Sequence, residues 1–252
     1  MLCIVYIFGL PPISTDNFLC FFLMCAILLL FGWQGGRSLN IVRKLLAVGA
    51  LWFFSLLVAM IHWRPWHWLA WAALAFSWLG DAMLGGFRPI ARFVRDPFIA
   101  GMSLFAAAQF FYILASANSV FMIESIHKRL PGQIAGYEIL PNVLPVYLLL
   151  GLFIWTLFVA RGTKPVPVKI AAFVYCQLVC AMGAYAFSAS FTGYSFVWQL
   201  AAGSLLFIIS DSAIAAHVFR DRFRSERHYD AFVWGTYLPA QLFLQLGFAQ
   251  LH

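Results

Sequence analysis

Charge is what this sequence has least of. Only 10% of its 252 residues are charged, against about 25% in an ordinary soluble domain. With 63% hydrophobic residues and a mean hydropathy of +0.88, such a chain has too little polar surface to cover itself in water. Alternation of polar and apolar residues is also missing, which excludes a membrane barrel. No Pro-, Gly- or Ser-rich linker separates soluble domains, so residues 1–252 read as a single integral membrane domain. Motifs for phosphate binding, a GxSxG elbow and HExxH are absent, and Gly162-Thr163-Lys164 lacks the upstream glycine of a Walker loop. The six histidines are dispersed, with His62 and His67 near an outer loop and His217 near the inner boundary, so they predict no metal site. Cysteine is sparse: Cys3, Cys20, Cys25, Cys176 and Cys180 all lie in or beside apolar stretches. Cys176 and Cys180 are one helical turn apart but have no second pair or histidine partner, and read as packing residues. Met1 to Leu10 carries no basic segment, so no cleaved signal peptide is expected there.

What is present is long apolar runs. A membrane-spanning helix takes roughly 20 mainly apolar residues, and eight such spans fit, at about 17–33, 43–61, 66–85, 97–116, 139–160, 168–188, 195–219 and 230–250. Their continuity predicts an all-α polytopic membrane bundle. The longest break, about 117–138, contains Glu124, His127, Lys128, Arg129 and Gly132 and reads as an interfacial helix or a lid.

The net charge of +7 is topological, and no nucleic-acid partner is expected from it. Thirteen of the sixteen Lys and Arg residues fall in the 1–2, 3–4, 5–6 and 7–8 connections or the adjoining span ends. Arg64, Lys128 and Arg129 fall on the other side. Positive loops stay in the cytoplasm, which puts both termini outside it. The basic inner loops, together with the lack of eukaryotic sorting signals, point to a bacterial inner membrane.

The two halves of the chain look alike. Span 3 contains Ser77-Trp78-Leu79-Gly80-Asp81-Ala82-Met83-Leu84, and span 7 contains Phe207-Ile208-Ile209-Ser210-Asp211-Ser212-Ala213-Ile214. Ala108-Gln109 in span 4 corresponds to Ala240-Gln241 in span 8, and Lys44 to Lys169 at the openings of spans 2 and 6. Three coincidences in register predict a parallel four-plus-four repeat, residues 17–116 and 139–250, about an axis along the membrane normal. Spans 3 and 7 then both run toward the cytoplasm and bring the two aspartates to similar depth, facing a central cavity.

Asp81 and Asp211 are the two acids well within spans. An acid there costs several kcal/mol and marks function by default; the competing reading is a structural, hydrogen-bonded pair between closely packed helices. Two carboxyls in a poorly hydrated cavity resist ionising together, so one keeps a proton while the other is charged. That makes an acid/base pair. Ser77 lies one turn before Asp81, placed to hydrogen-bond it or a substrate, and Ser210 adjoins Asp211 with Phe207 on its face. Tyr237, Gln241 and Gln245 form a polar stripe on span 8; Gln109 and Tyr112 share a face of span 4, and Tyr175 and Met182 one of span 6.

These residues resemble a known family. Leu74-Ala75-Phe76-Ser77-Trp78-Leu79-Gly80-Asp81-Ala82-Met83-Leu84 is similar to the LxFSxxGDxxL motif of the lysoplasmalogenase (YhhN-like) membrane proteins. Gly203-Ser204-Leu205-Leu206-Phe207-Ile208-Ile209-Ser210-Asp211 is similar to their second motif, and the resemblance covers spans 2 to 8. Tyr175 with Met182, and Tyr237 with Gln241, resemble weaker family positions. One departure is that Gln109 stands, three residues before Tyr112, where the family often has histidine. The resemblance implies hydrolysis of the vinyl ether bond of a lysoplasmalogen (ethanolamine or choline) to a fatty aldehyde and a glycerophospho-alcohol. It implies a lysophospholipid partner within membrane lipid, and neither a metal nor an organic cofactor. Asp81 and Asp211 would divide the proton transfers, as paired carboxyls do in glycoside hydrolysis. The substrate phosphate is expected near Lys44 and Lys169.

Two other classes share the same features. A proton-coupled transporter or lipid flippase also uses parallel repeats and central acids, and would be favoured by helices broken at mid-span; Pro239 is one such signal, without a counterpart in span 4. A scaffold or lipid-binding protein would tolerate replacement of either aspartate.

Overall fold

The computed structural model describes residues 40–92, 94–126, 136–192 and 196–251. Span 1, the three N-terminal cysteines, Arg37 and the segment from His127 to Gly132 lie outside the described residues. Within them the chain is all helix: seven long helices and one short turn of helix, Arg88–Ala91.

Helix α1, Ile41–His62, starts at Asn40, whose side chain accepts the Val42 and Arg43 amides at 3.0 and 3.3 Å. That satisfies two of the donors a helix start leaves open. Trp63, at φ 49°, then reverses the chain. Helix α2, Pro65–Leu84, opens on a proline at its first position, where the missing amide is not needed. Asp96 caps α3, Pro97–Ile126, by accepting from Phe98 and Ile99. Helix α4, Gly136–Ile154, contains Pro141 and Pro145 and continues into a π-helical turn, Trp155–Ala160. Helices α5, Val166–Ala189, α6, Trp198–Arg220, and α7, Glu226–Gln250, complete the bundle. The most extensive pairings are α2 with α3 and α6 with α7.

Five of these segments are long and apolar enough to cross a membrane: Ile41–His62, Pro97–Ser125, Gly136–Ala160, Val166–Ala189 and Trp198–Arg220. The protein is therefore an integral membrane protein. Its outward faces carry exposed Leu46, Phe53, Ile61, Phe121, Leu149 and Phe153, a surface suited to lipid. Helices α2 and α7 span 20 and 25 residues but fall below that apolarity. The cause is what they contribute to the interior: α2 buries His67, Ser77 and Asp81, and α7 buries Gln241 and Gln245.

One boundary differs from expectation. The break after span 4 was expected to begin at 117, yet α3 continues to Ile126. Residues 117–126 contain no Gly or Pro, and the added turns bury Val120 and Ile123. Glu124, in the stretch expected as an interfacial helix or a lid, accepts the Gly136 amide at 2.6 Å and ties the end of α3 to the start of α4.

Candidate active site in the helix bundle

Asp81 sits on α2 and Asp211 on α6, within electrostatic reach of one another. Each accepts from a tyrosine hydroxyl: Tyr237 of α7 donates to Asp81 Oδ2 at 2.9 Å, and Tyr175 of α5 to Asp211 Oδ2 at 2.5 Å. Hydroxyl-to-carboxylate bonds are among the stronger hydrogen bonds, so both carboxyls are held in fixed orientation. The Tyr237 ring is itself wedged edge-on against Phe105, Phe207 and Trp234.

The surroundings of the two acids differ. Asp211 lines a cavity of about 80 Å3 between α3, α4, α5 and α6. Its walls are apolar, with Phe98, Met102, Phe105, Val179, Ile208 and Phe219 prominent, and Tyr175 and Ser212 add polar atoms beside Asp211. Asp81 does not line this cavity; Leu84, one turn further along α2, does. A π-helical turn, a feature frequent at functional sites, contributes Val159 to the wall.

The remaining sequence candidates fall into three groups. Tyr112, Tyr237 and Gln241 come together: Tyr112 donates to Gln241 Oε1 at 2.5 Å, and Gln241 Nε2 donates to the Tyr237 hydroxyl at 3.2 Å. Gln109 is fully buried beside the Tyr175 hydroxyl, but neither amide atom makes a hydrogen bond of good geometry with it. Neither serine hydrogen-bonds an aspartate. Ser77 Oγ is buried and bonds to no described residue, because the Asp81 carboxyl is turned across the bundle to Tyr237. Ser210 reaches the Val233 carbonyl at 3.4 Å and links α6 to α7.

Neither lysine expected to hold a phosphate lines the cavity. Lys44 forms a largely buried ion pair with Asp230 and lies 5.1 Å from the Trp234 ring centroid. Lys169 Nζ donates to the Ala160 carbonyl at 3.2 Å, closing off the π-helical turn, while its own carbonyl accepts from Trp155 Nε1. Cys176 donates to the Gly151 carbonyl at 3.3 Å and Cys180 is buried; both thiols are free and line the cavity.

Three participants went unread in the sequence. Asp230 opens span 8 on the same side as Lys44 opens span 2, and that shared boundary is the signal that pairs them. Gln245 was seen only as part of a stripe. Ser55, which donates to Gln245 Oε1 at 2.7 Å, resembles any membrane serine and left no signal.

Against known proteins, the model of the YhhN family matches residues 39–248. No curated protein and no solved structure matches the chain.

Proposed function

The chain belongs to the YhhN family, the lysoplasmalogenase family, and we propose that it hydrolyses the vinyl ether bond of lysoplasmalogens. The observation that carries this reading is Asp211 with its tyrosine donor, set in the wall of an otherwise apolar cavity. A fatty chain lies among the aliphatic and phenyl groups and presents its vinyl ether to the carboxyl.

The chemistry adds one water across one bond. A proton from Asp211 passes to the β-carbon of the vinyl ether, and the electron pair of the double bond forms the new C–H bond. The resulting oxocarbenium ion is stabilised by the negative charge shared by the two carboxyls, a form of electrostatic stabilisation at the developing charge. Water adds to that carbon and returns a proton to the pair. The hemiacetal then collapses to a fatty aldehyde and the free glycerophospho-alcohol. A positioned general acid contributes about 10²- to 10⁴-fold to such steps.

The four-plus-four repeat belongs to the same proposal. It makes α2–α3 equivalent to α6–α7, and these are the two most extensive helix pairs. It also pairs Gln109 with Gln241, each beside the tyrosine that holds one aspartate. An eighth span, inner-membrane location and outward termini complete the proposed architecture. The transporter reading is weaker because Asp81 and Asp211 both lie in uninterrupted helix, whereas carriers bind their cargo at broken helices.

The test is aldehyde release by purified protein from lysoplasmenylethanolamine, lysoplasmenylcholine and the saturated alkyl-ether analogue. Release from the vinyl ethers alone is expected, since the analogue has no double bond to protonate. Intact vinyl ethers overturn the hydrolase reading; lipid or proton movement across proteoliposomes without cleavage establishes transport instead.

A further inference from the structure

A buried hydrogen-bond chain runs from Asp81 into the non-cytoplasmic half of the bundle, and its direction is fixed at both ends. Gln245 Nε2 donates to the Ala70 carbonyl at 3.2 Å. A backbone carbonyl only accepts, so this contact sets which way the Gln245 amide faces. Its oxygen then takes the Ser55 hydroxyl, and its nitrogen also donates to the Tyr112 hydroxyl at 3.1 Å. Tyr112 has one proton and passes it to Gln241 Oε1. The Gln241 nitrogen is thereby left to face Tyr237, whose own proton goes to Asp81. From Ser55 to Asp81 every donor points the same way. Ser55, Tyr112, Tyr237, Gln241 and Gln245 are all buried.

We propose that Gln245 is a positioning residue for the Asp81 carboxyl, acting through Tyr112, Gln241 and Tyr237. It stands two helical turns from Tyr237, about 12 Å along α7 at 1.5 Å per residue, and does not line the cavity that holds Asp211. Its role is to keep Tyr237 a donor. Without a fixed donor above it, the Tyr112 hydroxyl is free to turn its proton elsewhere. Gln241 can then present its oxygen to Tyr237, which takes the tyrosine proton off Asp81. Chains of aligned hydrogen bonds polarise one another, so reversing one link is felt at the end. Asp211 has no comparable chain among the described residues; its tyrosine is backed by Gln109, whose amide makes no well-formed bond.

This inference rests on the hydrolase reading for its kinetic test but has a second readout that does not. Gln245→Met keeps the volume and removes the amide. With lysoplasmenylethanolamine its kcat is expected to fall about tenfold or more while KM stays within about twofold, the pattern of a group acting only in the transition state. In a Tyr237→Phe background the same substitution is expected to change kcat no further, because both act on one link. Ser55→Ala, a gentler change at the far end, lowers kcat in the same direction by less. Ser119→Ala, which breaks a buried hydrogen bond outside the chain, leaves kcat unchanged. Independently, the infrared band of the Asp81 carboxyl, identified by its loss in Asp81→Asn, is expected to shift in substrate-free Gln245→Met protein. A Gln245→Met protein with lower thermal stability but unchanged kcat and an unmoved band overturns the proposal, as do effects that multiply in the double variant. If no vinyl ether is cleaved by the wild type, the hydrolase reading fails while the infrared shift still decides the role of Gln245.

Discussion

A carboxyl at the centre of a membrane helix costs about 2.5–3.5 kcal/mol on insertion scales, and this chain keeps two within reach of each other. Each is offset by a tyrosine hydroxyl rather than by a cation, which leaves the pair able to exchange a proton. Lys44, a cation within electrostatic reach of Asp81, is already held by Asp230. Replacing Lys44 separates a structural role, as the partner of Asp230, from the expected one of holding the substrate phosphate. Lys44→Met leaves the part-buried Asp230 without its ion partner, a change expected to cost about 1–3 kcal/mol. Thermal unfolding in detergent is expected to show that loss, with KM for the lysophospholipid unchanged in the folded fraction. A rise in KM at unaltered stability would return Lys44 to the phosphate. At this scale, residue type was legible and partnership was not. Asp81, Asp211 and the Tyr237–Gln241 stripe stand out because polar groups are rare in an apolar run. That Asp81 turns to Tyr237, 156 residues away, rather than to Ser77 one turn below, depends on helix packing that spacing does not encode.

Among the elements, α6 and α7 approach most closely at Gly203. A Cβ at that position would meet the Ala240 carbonyl oxygen and the Leu244 amide nitrogen of α7, each at 2.9 Å. Backbone cannot rotate away as a side chain can, so the helices themselves must part. Gly203→Ala is expected to destabilise the protein by about 1–3 kcal/mol, the usual range for overpacking, and to lower kcat by shifting Tyr237 relative to Asp211. Gly80→Ala is milder, because the atoms it meets belong to the Phe105 ring. Comparing thermal midpoints of the two variants checks the distinction; equal losses would contradict it. Helix positions themselves were largely readable, since hydrophobic runs of membrane length leave little choice of structure. The end of α3 was not, because the stretch around Glu124 reads equally as an interfacial helix or a lid until Glu124 is seen capping α4. The π-helical turn at Trp155–Ala160 had no sequence signature either; it is stabilised from outside by Lys169.

At the scale of the whole molecule, the proposed orientation rests on the distribution of basic residues, and it decides which leaflet the cavity faces. The α6–α7 connection carries Arg220, Arg222 and Arg224, while the α1–α2 turn carries Arg64 alone. In a cysteine-free background, Ser225→Cys is expected to react with an impermeant maleimide only from the cytoplasmic side, and Arg64→Cys only from the other. The reverse pattern would invert the topology and place the Asp211 cavity in the opposite leaflet. That cavity extends from Asp211 toward Phe98, Val159 and Phe219 at the basic ends of their helices, which face the cytoplasm on the proposed topology. The apolar lining suits the chain of a single-tailed lipid.

The central claim is that two intramembrane carboxyls split a vinyl ether, and one comparison tests it most directly. Aldehyde release from lysoplasmenylethanolamine is measured for the wild type, Asp211→Asn and Asp81→Asn, each purified as folded protein. The account predicts release by the wild type and a fall of about 10²-fold or more in both variants, the range for loss of a positioned acid or base. Undiminished release in either variant would contradict it.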